Sequence, residues 1–417
     1  MQPDATPDPY ADPLRFGQRT QILRERRGMS RTVLGGLLGM SAEWVKQVEN
    51  GRIQAPGLDV VLRIAEALRV RDLSDLTGRR DMPAPLFQGP GHPRLAAVRT
   101  AVDALPLVSP AAAPPRAEHL AARLAVAWKS RHESPNHREI VGGLLPDLIR
   151  DAHLAAQHAE TPADWRATQA VLAEVYSLSQ FFLAYQPDPA LLWRVAERSM
   201  FAAAQSTDPH AIGVSAWLLA QAHRDSGPGH YDAADTVTMQ AIEHLAPLLP
   251  DADDPVLAIA GALEFEAGHT AARRGQKGTA WKHWSKARKM AKKLPASYFH
   301  PVTSFSQAIM GAHAVTVAVE LHAGPESVRQ AAQADATVIP SRPRRARHRI
   351  EEARGYQLDG QPDIAIATLE KAHAAAPETI RYNGYAKTLI LEECQTRATG
   401  RRRRASELAV KVGLLAA

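Results

Sequence analysis

The chain has 417 residues, 45% of them hydrophobic and 23% charged, with a formal net charge of +6. These values fit a globular protein of two or three domains, and the basic balance permits a nucleic-acid partner without requiring one. No apolar run reaches the ~18 residues of a bilayer span, the start "MQPDATPDPYADP" lacks the marks of a signal peptide, and Cys394 is the only cysteine. A membrane span, an export leader and a disulfide or thiolate-zinc framework are therefore not expected, and a cytoplasmic location is.

Residues 1–14 read as a tail. From Phe16 to Arg27 the spacing predicts a first amphipathic helix with Ile22 and Leu23 inward, stopped by Gly28. The next stretch, "SRTVLGGLLGMSAEWVKQVENGR", holds three glycines within five positions, Gly35, Gly36 and Gly39, which raise the question of a phosphate-cradling loop. Gly39 is followed by Met40 and Ser41 instead of the Lys-Ser/Thr pair of a P-loop, and no strand-like run precedes it. The helical reading is the better one. Ser30 caps a second helix with Val33, Leu34, Leu37 and Leu38 inward, and Gly39 ends it in a tight turn. Ser41 then caps a third helix, Ala42 to Asn50, with Val45 and Val48 inward and Glu43, Lys46 and Gln47 outward; Gly51 closes it. "GLDVVLRIAEALRV" supplies a fourth helix with Leu58, Val61, Leu62, Ala65 and Leu68 on one side.

Over residues 15–78 this order resembles the lambda-repressor-like helix-turn-helix of the XRE family. Gly35 lies where that family keeps a small residue between its two central helices, and "QVENGR" resembles the usual end of the recognition helix, whereas Gly36 departs from the expected polar residue. The resemblance implies a double-stranded DNA operator. Ala42, Glu43, Lys46 and Gln47 would read base edges: Glu43 would accept from cytosine, Lys46 donate to guanine and Gln47 pair with adenine. Arg31, Asn50 and Arg52 match phosphate-clamping positions, and Trp44 would pack by the turn or against the sugar-phosphate backbone. The basic excess over residues 15–52, eight Lys or Arg against three acids, suits that partner.

Residues 79–116 are proline-rich around one amphipathic piece, "RLAAVRTAVDAL", and read as a linker whose short helix would be free to pair across a dimer. Residues 117–417 show a succession of helices with no convincing strand. The clearest pair, residues 349–378, resembles a tetratricopeptide repeat: Gly355 and Tyr356 in its first helix, a turn at Gly360, Ala365 and Ala372 in the second, and a closing Pro377. Comparable turns are expected at Gly227, Gly275 and Gly324, spaced more widely than the ~34 residues of a strict repeat. The expected fold class is all-α: a helix-turn-helix domain followed by an α-solenoid of tetratricopeptide-like helix pairs, with a plain helical bundle as the alternative.

That two-part layout resembles peptide-pheromone-sensing regulators and, in its Ala/Arg-rich composition, orphan regulators of actinobacteria. It implies a homodimer whose repeats bind a peptide or small molecule or a partner protein. Pheromone receptors hold peptides with a ladder of asparagines, whereas residues 117–417 contain only Asn136 and Asn383, so Asn383 is the single ligand candidate and the other ligand residues stay open. The competing reading is an interaction scaffold tethered by its helix-turn-helix.

Other chemistry finds less support. Residues 271–294 hold nine Lys or Arg with Trp281 and Trp284 interleaved; a phosphate-gripping strip is one reading, a solvated face balanced by the acids of residues 251–266 the preferred one. "SRPRRARHR" and the arginines at 401–404 also read as solvated. Glu266 and His269 have the Glu-x-x-His spacing of a di-iron site but no second motif, His153 and His158 fall on different helix faces, and Cys394 reads as a packed thiol. No enzyme activity, metal or cofactor is expected.

Overall fold

The computed structural model describes residues 16–53, 58–68, 70, 73–77, 91–104 and 115–415. Among the described residues there is no strand. The chain divides into two compact units, Met1–Gly91 and His92–Ala417.

The first unit contains α1 (Phe16–Arg26), α2 (Arg31–Leu38), α3 (Ala42–Glu49), α4 (Leu58–Ala67) and α5 (Ser74–Thr77). Ser30 Oγ accepts from Val33 N and Ser41 Oγ from Trp44 N, so each central helix starts where its serine satisfies an otherwise orphaned amide. Between them Gly39 adopts φ 67°, a left-handed turn. Leu34, Leu38, Val45, Val61, Ile64, Ala65, Leu68, Leu73 and Leu76 form the core. Two expectations fail here. Val33 and Leu37 are 52% and 61% exposed, because α2 packs on α3 and α4 through Leu34 and Leu38, and residues one step away are turned ~100°. In α1 the buried residues are Gly17, Thr20 and Arg24, while Ile22 and Leu23 are half-buried.

The second unit comprises α6 (Leu95–Asp103), α7 (Ala117–Glu133), α8 (His137–Gln157), α9 (Pro162–Leu183), α10 (Pro189–Ser206), α11 (Pro209–Asp225), α12 (Tyr231–Leu245), α13 (Asp254–Arg273) and α14 (Lys277–Ala291). It continues with α15 (Met310–Glu320), α16 (Gly324–Gln333), α17 (Arg342–Leu358), α18 (Pro362–Ala375), α19 (Pro377–Tyr382), α20 (Gly384–Cys394) and α21 (Thr399–Lys411). From α7 onward each odd-numbered helix up to α17 packs on its following partner and also on the next odd-numbered helix. This is an α-solenoid of helix pairs, in which α7, α9, α11, α13, α15 and α17 make the inner layer. The solenoid curls far enough for α17 to pack against α7.

Many prolines of the second unit begin helices. Thr161, Asp188, Asp208, Asp253 and Ser341 each accept a backbone amide as N-cap, followed by Pro162, Pro189, Pro209, Pro255 and Pro343 in the first turn. The turn at Gly360 has φ 73°, and Ala365 and Ala372 are buried as the repeat resemblance requires. At Gly324 the requirement is closeness, since a Cβ there would lie 2.9 Å from Leu358 O; the left-handed residue of that turn is His322. Helix α6, read as part of a linker and available for dimer pairing, has Leu95, Val98 and Val102 buried in the second unit's core and packs on α8. Its apolar face is occupied within the chain.

Candidate functional site

In the first unit, α3 carries four of the sequence candidates on adjoining positions. Glu43 and Lys46 side chains are 58% and 49% exposed and form an ion pair at 3.4 Å, while Ala42 and Gln47 are half-buried. Asn50 and Arg52 are exposed at the end of α3, where Arg52 N donates to Gln47 O at 2.9 Å. Trp44 is half-buried and packs against the core.

Arg31 is anchored. Its Nε donates to Glu49 Oε2 at 2.7 Å, and Arg24 grips the same carboxylate with Nε to Oε1 at 2.5 Å and Nη2 to Oε2 at 3.1 Å. Arg24 Nη1 also donates to Met29 O at 2.7 Å, so one buried network ties α1, the loop before α2, α2 and the end of α3. The Glu49 side chain is 0% exposed, and two guanidiniums share it. Close approach at two glycines completes the frame: a Cβ on Gly35 would lie 2.7 Å from Met40 O, and one on Gly17 would lie 2.1 Å from Val48 O. Gly36 meets nothing within 4 Å, so packing does not require it. The result is a rigid α2–α3 corner presenting a polar, solvent-facing α3.

In the second unit, the inner layer encloses a cavity of about 690 Å³. Its wall combines Phe181, Trp217 and Phe265 with charged groups from helices far apart in sequence. Arg224 pairs with Glu266, Arg273 with Asp225 and Glu320 at 3.3 Å, and Arg347 with Glu351 at 2.6 Å. Glu320 and Glu351 are held below the ordinary carboxylate range; burial opposes this, and His269 (for Glu320, chiefly by hydrogen bonding) and the charge of Arg347 (for Glu351) lead the lowering. Asn383, the one ligand candidate from sequence, lines this cavity at 0% exposure. Its Oδ1 caps α20 by accepting from Ala386 N, and its Nδ2 has no partner. Asn136 lies outside, exposed at the start of α8.

The remaining candidates resolve into structure. In α14, Trp281 and Trp284 pack against the core, Lys286 and His283 pair with Glu264, and Arg274 pairs with Asp232 and Asp235, as a solvated face with local counter-charges requires. Glu266 and His269 turn to different partners, Arg224 and Glu320. Among the described residues no three His, Cys, Asp or Glu side chains gather as a metal site. His153 bonds Tyr176 Oη at 2.6 Å, and Cys394 is half-buried against the C-terminal core. Arg401 and Arg404 pair with Glu393 and Glu370. In "SRPRRARHR", by contrast, Arg344, Arg347 and His348 line the cavity, which the solvated reading missed. Their signal was a second stripe, Arg344, Arg347, His348 and Glu351, at helical spacing beside the apolar Ala346, Ile350 and Ala353.

Residues 15–76 match the family described as "Helix-turn-helix domain". The helix-turn-helix therefore comprises α2, the Gly39 turn and α3, with α1, α4 and α5 packed around them. No curated protein matches the chain. Among solved structures, PlcR of Bacillus thuringiensis, in complex with the peptide PapR7 and DNA, is similar at 11% identity and a TM-score of 0.31, covering 85% of this chain and 99% of that one. Among the described residues no helix is long and apolar enough to cross a membrane.

Proposed function

We propose that the chain is a sequence-specific, DNA-binding transcriptional regulator of the cytoplasm that acts as a homodimer and whose tetratricopeptide-like solenoid takes a peptide or small ligand in its inner cavity. The observation that carries the reading is α3 itself: its polar outer residues are solvent-facing while Glu49, at its end, is clamped by Arg24 and Arg31. A reading helix needs that combination of free tips and fixed axis, because each base contact depends on placement in the major groove. Glu43, Lys46 and Gln47, with Ala42 beside them, take the base-reading role. The Glu43–Lys46 pair has to part as the helix docks, at a cost of about 1 kcal/mol or less for so exposed a pair.

Asn50, Arg52 and the half-buried Trp44 take the backbone, together with Arg31, whose Nε is engaged by Glu49 while its side chain stays 37% exposed. Two copies are needed because one recognition helix covers one half-site, and half-sites lie ~34 Å apart. The test is selection of duplexes from a random pool by the full chain, with sedimentation of the selected complex. A recovered inverted repeat bound by two chains supports the reading. Recovery of no sequence preference leaves an interaction scaffold tethered by its helix-turn-helix and rejects the regulator.

A further inference from the structure

The cavity wall carries six arginines, Arg131, Arg138, Arg224, Arg273, Arg344 and Arg347, against three acids, Asp225, Glu266 and Glu351. Each acid is matched by one of Arg224, Arg273 or Arg347. Arg131, Arg138 and Arg344 form no ion pair, and Glu378 on Arg138 and Glu351 on Arg344 act only through space. Arg131 has no carboxylate partner; its guanidinium stacks over Phe181 at 4.1 Å and its Nη1 lies 3.4 Å from His132 Nδ1. Arg344 Nη2 approaches His313 Nδ1 at 3.3 Å, and its Nε has no partner. Arg138 donates Nη1 to Phe182 O, leaves Nε unpartnered, and feels Glu378 through space while that carboxylate accepts from the Arg138 and Glu139 amides.

Cations without an ion-pair partner on one cavity wall are costly unless an anion joins them. All three line the one cavity; burial first, then the charges of Arg138 and Arg344, pull Arg131 down to about 9, and burial with Arg347 pulls Arg344 down to about 10. A second, independent observation lies on the same wall. Trp217 Nε1, Gln180 Oε1 and Asn383 Nδ2 belong to side chains at least nine-tenths buried, and all three lack partners. Buried polar groups are normally satisfied, so three orphans converging on one cavity mark the place of absent polar atoms.

We propose that the cavity binds a ligand with a carboxylate and an apolar body, the carboxylate seated on Arg131, Arg138 and Arg344 and the body against Phe181, Trp217 and Phe265. A cavity of about 690 Å³ suits a small molecule or short peptide. Guanidinium forks match a carboxylate's two oxygens, and the orphaned Trp217, Gln180 and Asn383 groups supply two donors and one acceptor for polar atoms along the body. The inference rests on reading the cavity as the ligand chamber, and it names what that chamber takes.

The experiment uses the full chain without DNA. Calorimetry and tryptophan fluorescence follow titration with matched acids and primary amides on three bodies: decanoate and decanamide, phenylbutyrate and its amide, and acetyl-leucyl-phenylalanyl-leucine as free acid and C-terminal amide. The expected result is that at least one acid binds roughly tenfold or more tightly than its amide, and that Arg131→Gln with Arg344→Gln abolishes that ratio. An acyl or aryl acid and a peptide C-terminus both satisfy the chemistry, and the winning body tells them apart. The double variant removes two cations that form no ion pair, so without ligand it melts no lower than the parent, a readout that separates a lost site from a lost fold. Equal binding of acids and amides, binding by none of them, or a double variant that keeps the acid preference overturns the proposal. Because no DNA is present, failure here leaves the DNA-reading proposal standing, and failure of duplex selection leaves this one standing.

Discussion

His132 Nδ1 accepts from Ser341 Oγ at 2.8 Å, across 209 residues of sequence. The direction is fixed because His132 Nε2 lies 2.7 Å from Pro301 O, a carbonyl that can only accept, so Nε2 carries the proton. One neutral imidazole therefore joins α7 to the N-cap of α17, where the solenoid meets itself. Burial, then the charge of Arg131, push His132 down from 6.5 to about 3. Between those values the unfolded chain binds a proton that the folded chain refuses. Stability is thus complete above about pH 6.5 and falls as pH drops toward 3, by up to ~1.4 kcal/mol per pH unit for this group. His137, His300 and His313, also held well below their ordinary value chiefly by burial, add slopes of the same sign. Urea melts across this range check it; His132→Gln flattens the acid limb, and an unchanged limb contradicts the assignment.

Removing Glu49 strands Arg24, which is 6% exposed. Glu49→Ala is expected to destabilise the first unit by about 3 to 5 kcal/mol, the usual cost of breaking a buried pair from one side. Hydrogen exchange of α1 and α3 amides in the full chain reads this locally: those amides lose protection while α9 and α13 keep theirs. Uniform loss over both units would contradict a local clamp.

Three glycines of the first unit separate by what surrounds them. Gly35→Ala and Gly17→Ala each force a methyl onto backbone carbonyls and are expected to destabilise by about 1 to 3 kcal/mol. Gly36→Ala meets open space in the interior of α2 and is expected to stabilise by up to ~1 kcal/mol through helix propensity. Thermal melts of the three variants give the order; a destabilising Gly36→Ala would reveal a constraint absent from the packing.

The local grammar of the first unit was legible because caps and turns are short-range: Ser30, Gly39 and Ser41 each act within four residues of themselves. The Arg24–Glu49 clamp was not, since its partners lie 25 residues apart and both look like surface charges in an amphipathic pattern. Paired apolar positions such as Val33/Leu34 and Leu37/Leu38 also leave open which of two neighbouring faces is buried. In the second unit the helix pairs could be read from glycine turns and alanine-rich seconds, but not the helix starts at prolines, because a cap before a proline turns a stop signal into a start. The cavity was illegible for a different reason. Its groups come from residues 131 to 388 and meet only because the solenoid curls, so arginines that look solvated in a run such as "SRPRRARHR" end inside.

The claim that α3 reads DNA is tested most directly by titrating the full chain and its Gln47→Ala and Arg52→Ala variants on the duplex recovered by selection and on a scrambled duplex, at several salt concentrations. Gln47→Ala is expected to lose about 1 to 3 kcal/mol on the selected duplex and almost nothing on the scrambled one. Arg52→Ala is expected to weaken both about equally and to lower the salt slope by about one. Equal losses from Gln47→Ala on the two duplexes, with the salt slope changed as for Arg52→Ala, would place Gln47 on the phosphates and contradict α3 as the reading helix.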